Sequence, residues 1–110
     1  MVFRAVLLNT IGNEDGKVYI YLDKEGLILQ FTFMRSVDGN GLFVDTDGYD
    51  VHMASVNDQP ADIYISQNSN EANVIVWQDI TNNILFQITA YADKEELIVL
   101  AENIEKKEIN

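Results

Sequence analysis

The chain has 110 residues, 47% of them hydrophobic, which is enough apolar side chain for the core of one compact domain. Seven basic residues against 18 acidic ones give a formal charge of −11, which repels phosphate backbones and anionic lipid and argues against nucleic-acid and membrane-surface binding. The absence of cysteine excludes disulfides, thiolate metal sites and cysteine nucleophiles without fixing the compartment.

Residues 3–8 form an apolar run that suits the end of an upstream helix or, in preference, a strand. Residues 11–17 hold Gly12, Asn13, Asp15 and Gly16, a turn cluster whose Asp-Gly pair supplies positive-φ positions for a tight hairpin. Val18, Tyr19, Ile20, Tyr21 and Leu22 are β-branched, aromatic or aliphatic and predict a strand, closed by a second turn at residues 23–26. The next strand, residues 27–34, is the longest. Leu27, Leu29, Phe31 and Phe33 share one face, and Ile28, Gln30, Thr32 and Met34 share the other, so the Leu/Phe face is assigned to the core.

Residues 36–48 contain three glycines and three aspartates around Leu42-Phe43-Val44 and predict a long loop, with room for a short edge strand. Residues 49–56 and 61–66 form a strand pair about a turn, Asn57-Asp58-Gln59-Pro60, that holds the only proline. After a polar turn come strands at 74–77 and 84–91, linked through Asp79-Ile80-Thr81-Asn82-Asn83. Ile84, Phe86, Ile88 and Ala90 line one face of the last strand, opposite Leu85, Gln87, Thr89 and Tyr91. A helix follows. Asp93 is a good N-cap, Glu96 completes a capping box, and Leu97, Ile98, Leu100, Ala101 and Ile104 form a stripe at helical spacing. The expected fold is therefore α+β: an antiparallel sheet of about six strands in hairpins, with a C-terminal helix packed on one face.

No constellation selects a reaction. His52 is the only histidine and shares a strand face with Asp50 and Ala54, so a solvent-exposed strand histidine is preferred to a metal ligand. Ser36, Ser55 or Ser66 with His52 lacks the glycine pattern of a nucleophile elbow. The aspartate-rich loop at 36–48 fails the EF-hand pattern whether anchored on Gly41 or on Gly48, and Asp-Gly turns explain its residues without a metal. Nothing singles out a carboxylate pair, and no phosphate-binding glycine loop occurs. The expectation is a protein that is not an enzyme, with no metal site and no cofactor.

The aromatic residues offer the one binding hypothesis. If the helix covers one side of the sheet, Tyr64, Trp77 and Tyr91 contribute to an apolar patch on the other, where a ligand or partner would dock. The competing and preferred reading is that sheet curvature or an upstream segment buries them.

From Val74 to Lys106 the chain resembles domain-of-unknown-function family 4367, a bacterial family. The resemblance rests on Val74-Ile75-Val76-Trp77-Gln78-Asp79, on residues 85–90, and on Glu95-Glu96-Leu97-Ile98 with Ala101-Glu102-Asn103-Ile104. It extends back to about Val18 through hairpin rhythm, while the family's Tyr-Leu-Pro-x-Gly opening is missing, which leaves the native start open. The resemblance implies a domain C-terminal to a single transmembrane helix in Firmicutes proteins, some organised like membrane-bound anti-sigma regulators. It supplies no catalytic residues. No apolar run here approaches the ~20 residues that cross a bilayer, and the N-terminus lacks the pattern of a signal peptide, so an exported form is expected to be part of a longer chain.

Two functions are thus expected. The first is a non-enzymatic extracytoplasmic binding or sensor domain that recognises a protein or cell-envelope ligand through the exposed sheet face or the loop at 36–48, with membrane contact only through an upstream segment. The alternative is a free-standing acidic cytoplasmic partner-binding module.

Overall fold

The computed structural model describes residues 5–13, 16–23, 28–35, 48–68 and 70–109. Along the chain lie β1 (Ala5–Asn13), β2 (Gly16–Asp23), β3 (Ile28–Arg35), β4 (Tyr49–Val56), β5 (Gln59–Ser66), β6 (Asn73–Asp79), β7 (Ile84–Ala90) and α1 (Lys94–Ile109). The strands form one sheet in the order β1-β2-β3-β7-β6-β5-β4, and every neighbouring pair is antiparallel. Two hairpin runs build it. The first makes β1-β2-β3. The chain then passes to the far edge, and β4-β5-β6-β7 return by successive hairpins until β7 pairs with β3. The fold is α+β as expected, with seven strands among the described residues rather than about six.

The N-terminal run is a strand from Ala5 and reaches beyond Leu8, because pairing with β2 continues to Asn13 opposite Gly16. Gly12 lies at φ +119°, and a Cβ there would collide with the Gly16 carbonyl oxygen, so this hairpin demands glycine at that position. Residues 36–47, including the Asp-rich stretch and Leu42-Phe43-Val44, lie outside the described residues, as does the reading placed on them.

The β4–β5 connection is tighter than the four-residue turn expected. Only Asn57 and Asp58 lie between the strands, at φ 49° and 67°, the backbone signs of a type I′ turn. Pro60 therefore stands inside β5, opposite Ser55. A two-residue hairpin makes its flanking pair, Val56 and Gln59, the hydrogen-bonded one. Backbone groups at Pro60 point instead towards β6, whose pairing with β5 begins only at Ala61 opposite Trp77. The missing donor thus falls where the sheet asks for none.

The core fills one face of the sheet beneath α1. Leu29, Phe31 and Phe33 of β3, Ile63 of β5, Ile75 and Trp77 of β6, and Ile84, Phe86 and Ile88 of β7 are buried with Leu97, Leu100 and Ala101 of α1. Strict alternation in β7, where Ile84, Phe86, Ile88 and Ala90 are buried and the residues between them half-buried, is the period-two pattern of a sheet with one filled face. An aromatic layer runs across it. Tyr19, Phe31, Phe86 and Trp77 stack in sequence, with centroids 5.8 Å (Tyr19–Phe31), 6.1 Å (Phe31–Phe86) and 5.1 Å (Trp77–Phe86) apart.

The capping box holds α1 in place. Glu96 N–H donates to Asp93 Oδ1 at 2.9 Å, and Asp93 N–H donates to Glu96 Oε1 at 3.1 Å. From this start the helix packs against β4, β6 and β7, and Asn57 Nδ2 donates to the Glu102 carbonyl near its middle.

Candidate functional site

With α1 and the aromatic layer on one side, the opposite side of the sheet carries no element among the described residues. Its side chains follow from the register. One row runs Val51, Tyr64, Val74, Thr89, Gln30 and Ile20 from β4 to β2. The next runs Met53, Asp62, Val76, Gln87, Thr32 and Val18, ending on Ile11 of β1. Both rows mix aliphatic and uncharged polar groups, and Asp62 is their only charge. Exposed aliphatic groups mark the two margins: Met53 is 87% exposed and Val51 52% on β4, and Ile11 is 55% exposed on β1. Such a surface suits a partner that offers apolar groups and hydrogen-bonding side chains together.

The three aromatic residues nominated from sequence separate. Tyr64 does lie on this open face, half-buried between Val51 and Val74. Burial first, and the Asp62 carboxylate second, push its phenol pKa above the ordinary 10.0.

Trp77 does not join it. It sits 1% exposed in the core, opposite Phe86, on the face beneath α1. The reason is turn length. A linker of residues 79–83 would set Gln78 against Ile84 and turn Trp77 to the open face. The actual loop begins one residue later, with Asp79 paired to Ile84. Asp79 Oδ1 accepts the Asn82 N–H at 3.1 Å, and Asn83 takes φ 57°, which closes this shorter turn. A shift of one residue moves the whole strand's side chains across the sheet.

Tyr91 stands elsewhere again. It is 49% exposed just past β7 and lines a shallow depression of about 370 Å³ with Ser66, Asn68, Glu71, Asn73, Asp93 and Glu96. The polar groups of this depression bind one another. Ser66 Oγ donates to Glu71 Oε2 at 3.0 Å, and Asn73 ties β5 to the helix entry by accepting from Ser66 N–H and donating to the Ala92 carbonyl, both at 2.8 Å. With Asp93 and Glu96 committed to the capping box, the arrangement knits the sheet end to the helix.

His52 is exposed, as expected, and lies opposite Ile63 on the helix-covered side. Among the described residues no group of three histidine, cysteine or acidic side chains is placed to hold a metal ion. No described helix is long and apolar enough to cross a membrane.

Sequence reasoning passed over Val51 and Met53. Their alternation with His52 was visible, but only the strand order reveals that β4 is an edge and leaves them bare.

Comparison with curated proteins and with solved structures gives no match. The family model described as "Domain of unknown function (DUF4367)" matches residues 3–104, well upstream of Val18, where the resemblance was expected to begin. The chain belongs to this DUF4367 family.

Proposed function

We propose that this chain is a non-enzymatic binding or sensor domain that engages a protein or cell-envelope ligand through the open face of its sheet. The observation that carries the proposal is the asymmetry of the sheet. One face is filled by stacked aromatics and α1, while the other carries two rows of apolar and polar groups with Asp62 as their one charge, Val74 buried among them, bounded by exposed Met53, Val51 and Ile11. The polar groups around Tyr91 are bound to one another, which favours a structural role for that depression over catalysis.

The extracytoplasmic setting, as the outer part of a membrane-attached regulatory protein, rests on the family resemblance. A free-standing cytoplasmic module, whose net charge of −11 suits a basic partner, is the competing setting. Fractionation of source cells separates the two. A membrane-associated band well above 12.5 kDa, cleaved by protease added to intact protoplasts, supports the outer setting, and a soluble cytosolic band near 12.5 kDa overturns it.

The binding surface is tested by charge substitution. Thr32→Lys, on the open face, is expected to leave the melting curve nearly unchanged while removing partner capture in source cells. Asn103→Lys, on the exposed side of α1, is expected to retain both. Equal capture by the two variants would overturn the assignment.

A further inference from the structure

Among the described residues, β1 and β4 are the two edges of the sheet, and they differ in how they are protected. An unpaired edge strand offers a row of backbone donors and acceptors to any second strand, and folded proteins usually blunt it with a bulge, a proline, lysines or a cover. At one edge β1 carries a register shift between Leu7 and Asn9. At the other, β4 pairs with β5 from Tyr49 to Val56 without a shift and contains no lysine, arginine or proline. Its one carboxylate, Asp50, already accepts from Gln67 Nε2 at 3.3 Å.

Which backbone groups of β4 face outwards follows from the hairpin. The Val56–Gln59 pair is hydrogen-bonded, and Gln67 N–H donates to the Gly48 carbonyl at 2.9 Å, so even-numbered residues of β4 bond to β5. The N–H and C=O groups of Val51, Met53 and Ser55 therefore point away from the sheet. On the same residues stand the most exposed apolar side chains of the edge, Met53 and Val51.

We propose that β4 pairs antiparallel with β4 of a second copy of this chain, about a two-fold axis at His52, to make one continuous sheet. In this register Val51 of each copy lies opposite Met53 of the other, and both residues exchange backbone hydrogen bonds. The two Val51 and two Met53 side chains then form one apolar strip on the open face. The charges are compatible: Asp50 falls opposite Ala54 of the second copy and diagonal to its His52, so no carboxylate faces another. The identical strand thus satisfies the outward donors and covers Met53, and the −11 charge of each copy keeps the association weak and salt-dependent.

The test combines sedimentation velocity with amide exchange on the full chain, from about 10 µM to about 1 mM, the range in which weak dimers titrate. A concentration-dependent dimer is expected, with protection of the Val51, Met53 and Ser55 amides rising with concentration. The His52 and Ala54 amides, bonded to β5, are protected throughout. Met53→Lys and Val51→Lys are each expected to weaken the dimer roughly tenfold or more, while Ile11→Lys on β1 leaves it unchanged. A chain that stays monomeric across this range overturns the proposal. So does a dimer in which the Val51, Met53 and Ser55 amides still exchange freely.

Discussion

Trp77 and Phe86 face each other directly across the β6–β7 ladder, with ring centroids 5.1 Å apart and planes 16° from parallel. Phe31 of β3 stacks on both, at 6.2 Å and 6.1 Å, so three strands meet in one aromatic cluster with no more than 1% exposure. This cluster joins the two hairpin runs of the sheet, because β3 ends the first run and β7 ends the second.

Removing the indole should accordingly be costly. Trp77→Ala is expected to destabilise the fold by about 3–5 kcal/mol, the range for emptying a large aromatic site. That is a large share of the roughly 5–15 kcal/mol that holds a domain together. Urea unfolding measures it, and a loss below about 1 kcal/mol would mean that Trp77 is not core.

The capping box provides a smaller effect at a defined place. Asp93→Ala removes the acceptor of the Glu96 N–H and should cost about 0.5–2 kcal/mol. Glu96→Ala removes the return bond to Asp93 N–H and should cost less, because that N–H lies at an exposed site open to water. Chemical denaturation of both variants gives the order, and the reverse order would contradict it.

The Asn57-Asp58 turn holds two non-glycine residues at positive φ. Asp58 is exposed, while Asn57 donates to the Glu102 carbonyl, so only Asp58 is free to change. Asp58→Gly relieves its left-handed backbone strain and should raise stability by about 0.5–1 kcal/mol after glycine's entropy is counted. Asp58→Ala should lower it. Paired melting curves test the sign.

Tyr64 links the open face to pH. Its phenol pKa lies above 10.0, through burial first and Asp62 second. The folded state therefore holds the neutral form beyond the pH at which the unfolded chain ionises. The stability contributed by this group is fully present below about pH 10 and is lost as pH rises through the folded value. Asp62→Asn should lower the pKa part of the way, leaving the larger contribution of burial. Ultraviolet titration, with Tyr64→Phe identifying the transition, would contradict this if Asp62→Asn raised the value.

Much of this architecture was legible in local pattern. The alternation of Leu29, Phe31 and Phe33, and of Ile84, Phe86 and Ile88, announced the filled face, and Asp93 with Glu96 announced the helix start. Burial of Trp77 was the preferred reading, but the side of the sheet on which it is buried was not legible. Val74-Ile75-Val76-Trp77 is apolar at every position, so period two cannot say which side faces in, and its orientation depends on where a loop of asparagine and threonine begins. The place of Pro60 is hidden for a related reason, since Asn57 and Asp58 alone complete the turn and leave the proline to β5. The exposure of Val51 and Met53 was hidden because edge position belongs to strand order, which couples residues far apart in the chain.

Binding through the open face is tested by site-specific photo-crosslinking in source cells. A photoreactive side chain placed at Gln30 or Asp62, both exposed on that face, is expected to give one discrete adduct. The same group at Glu95 or Asn103 on the outer side of α1 should give none. No adduct from Gln30 or Asp62, or the same adduct from Glu95, would contradict the account.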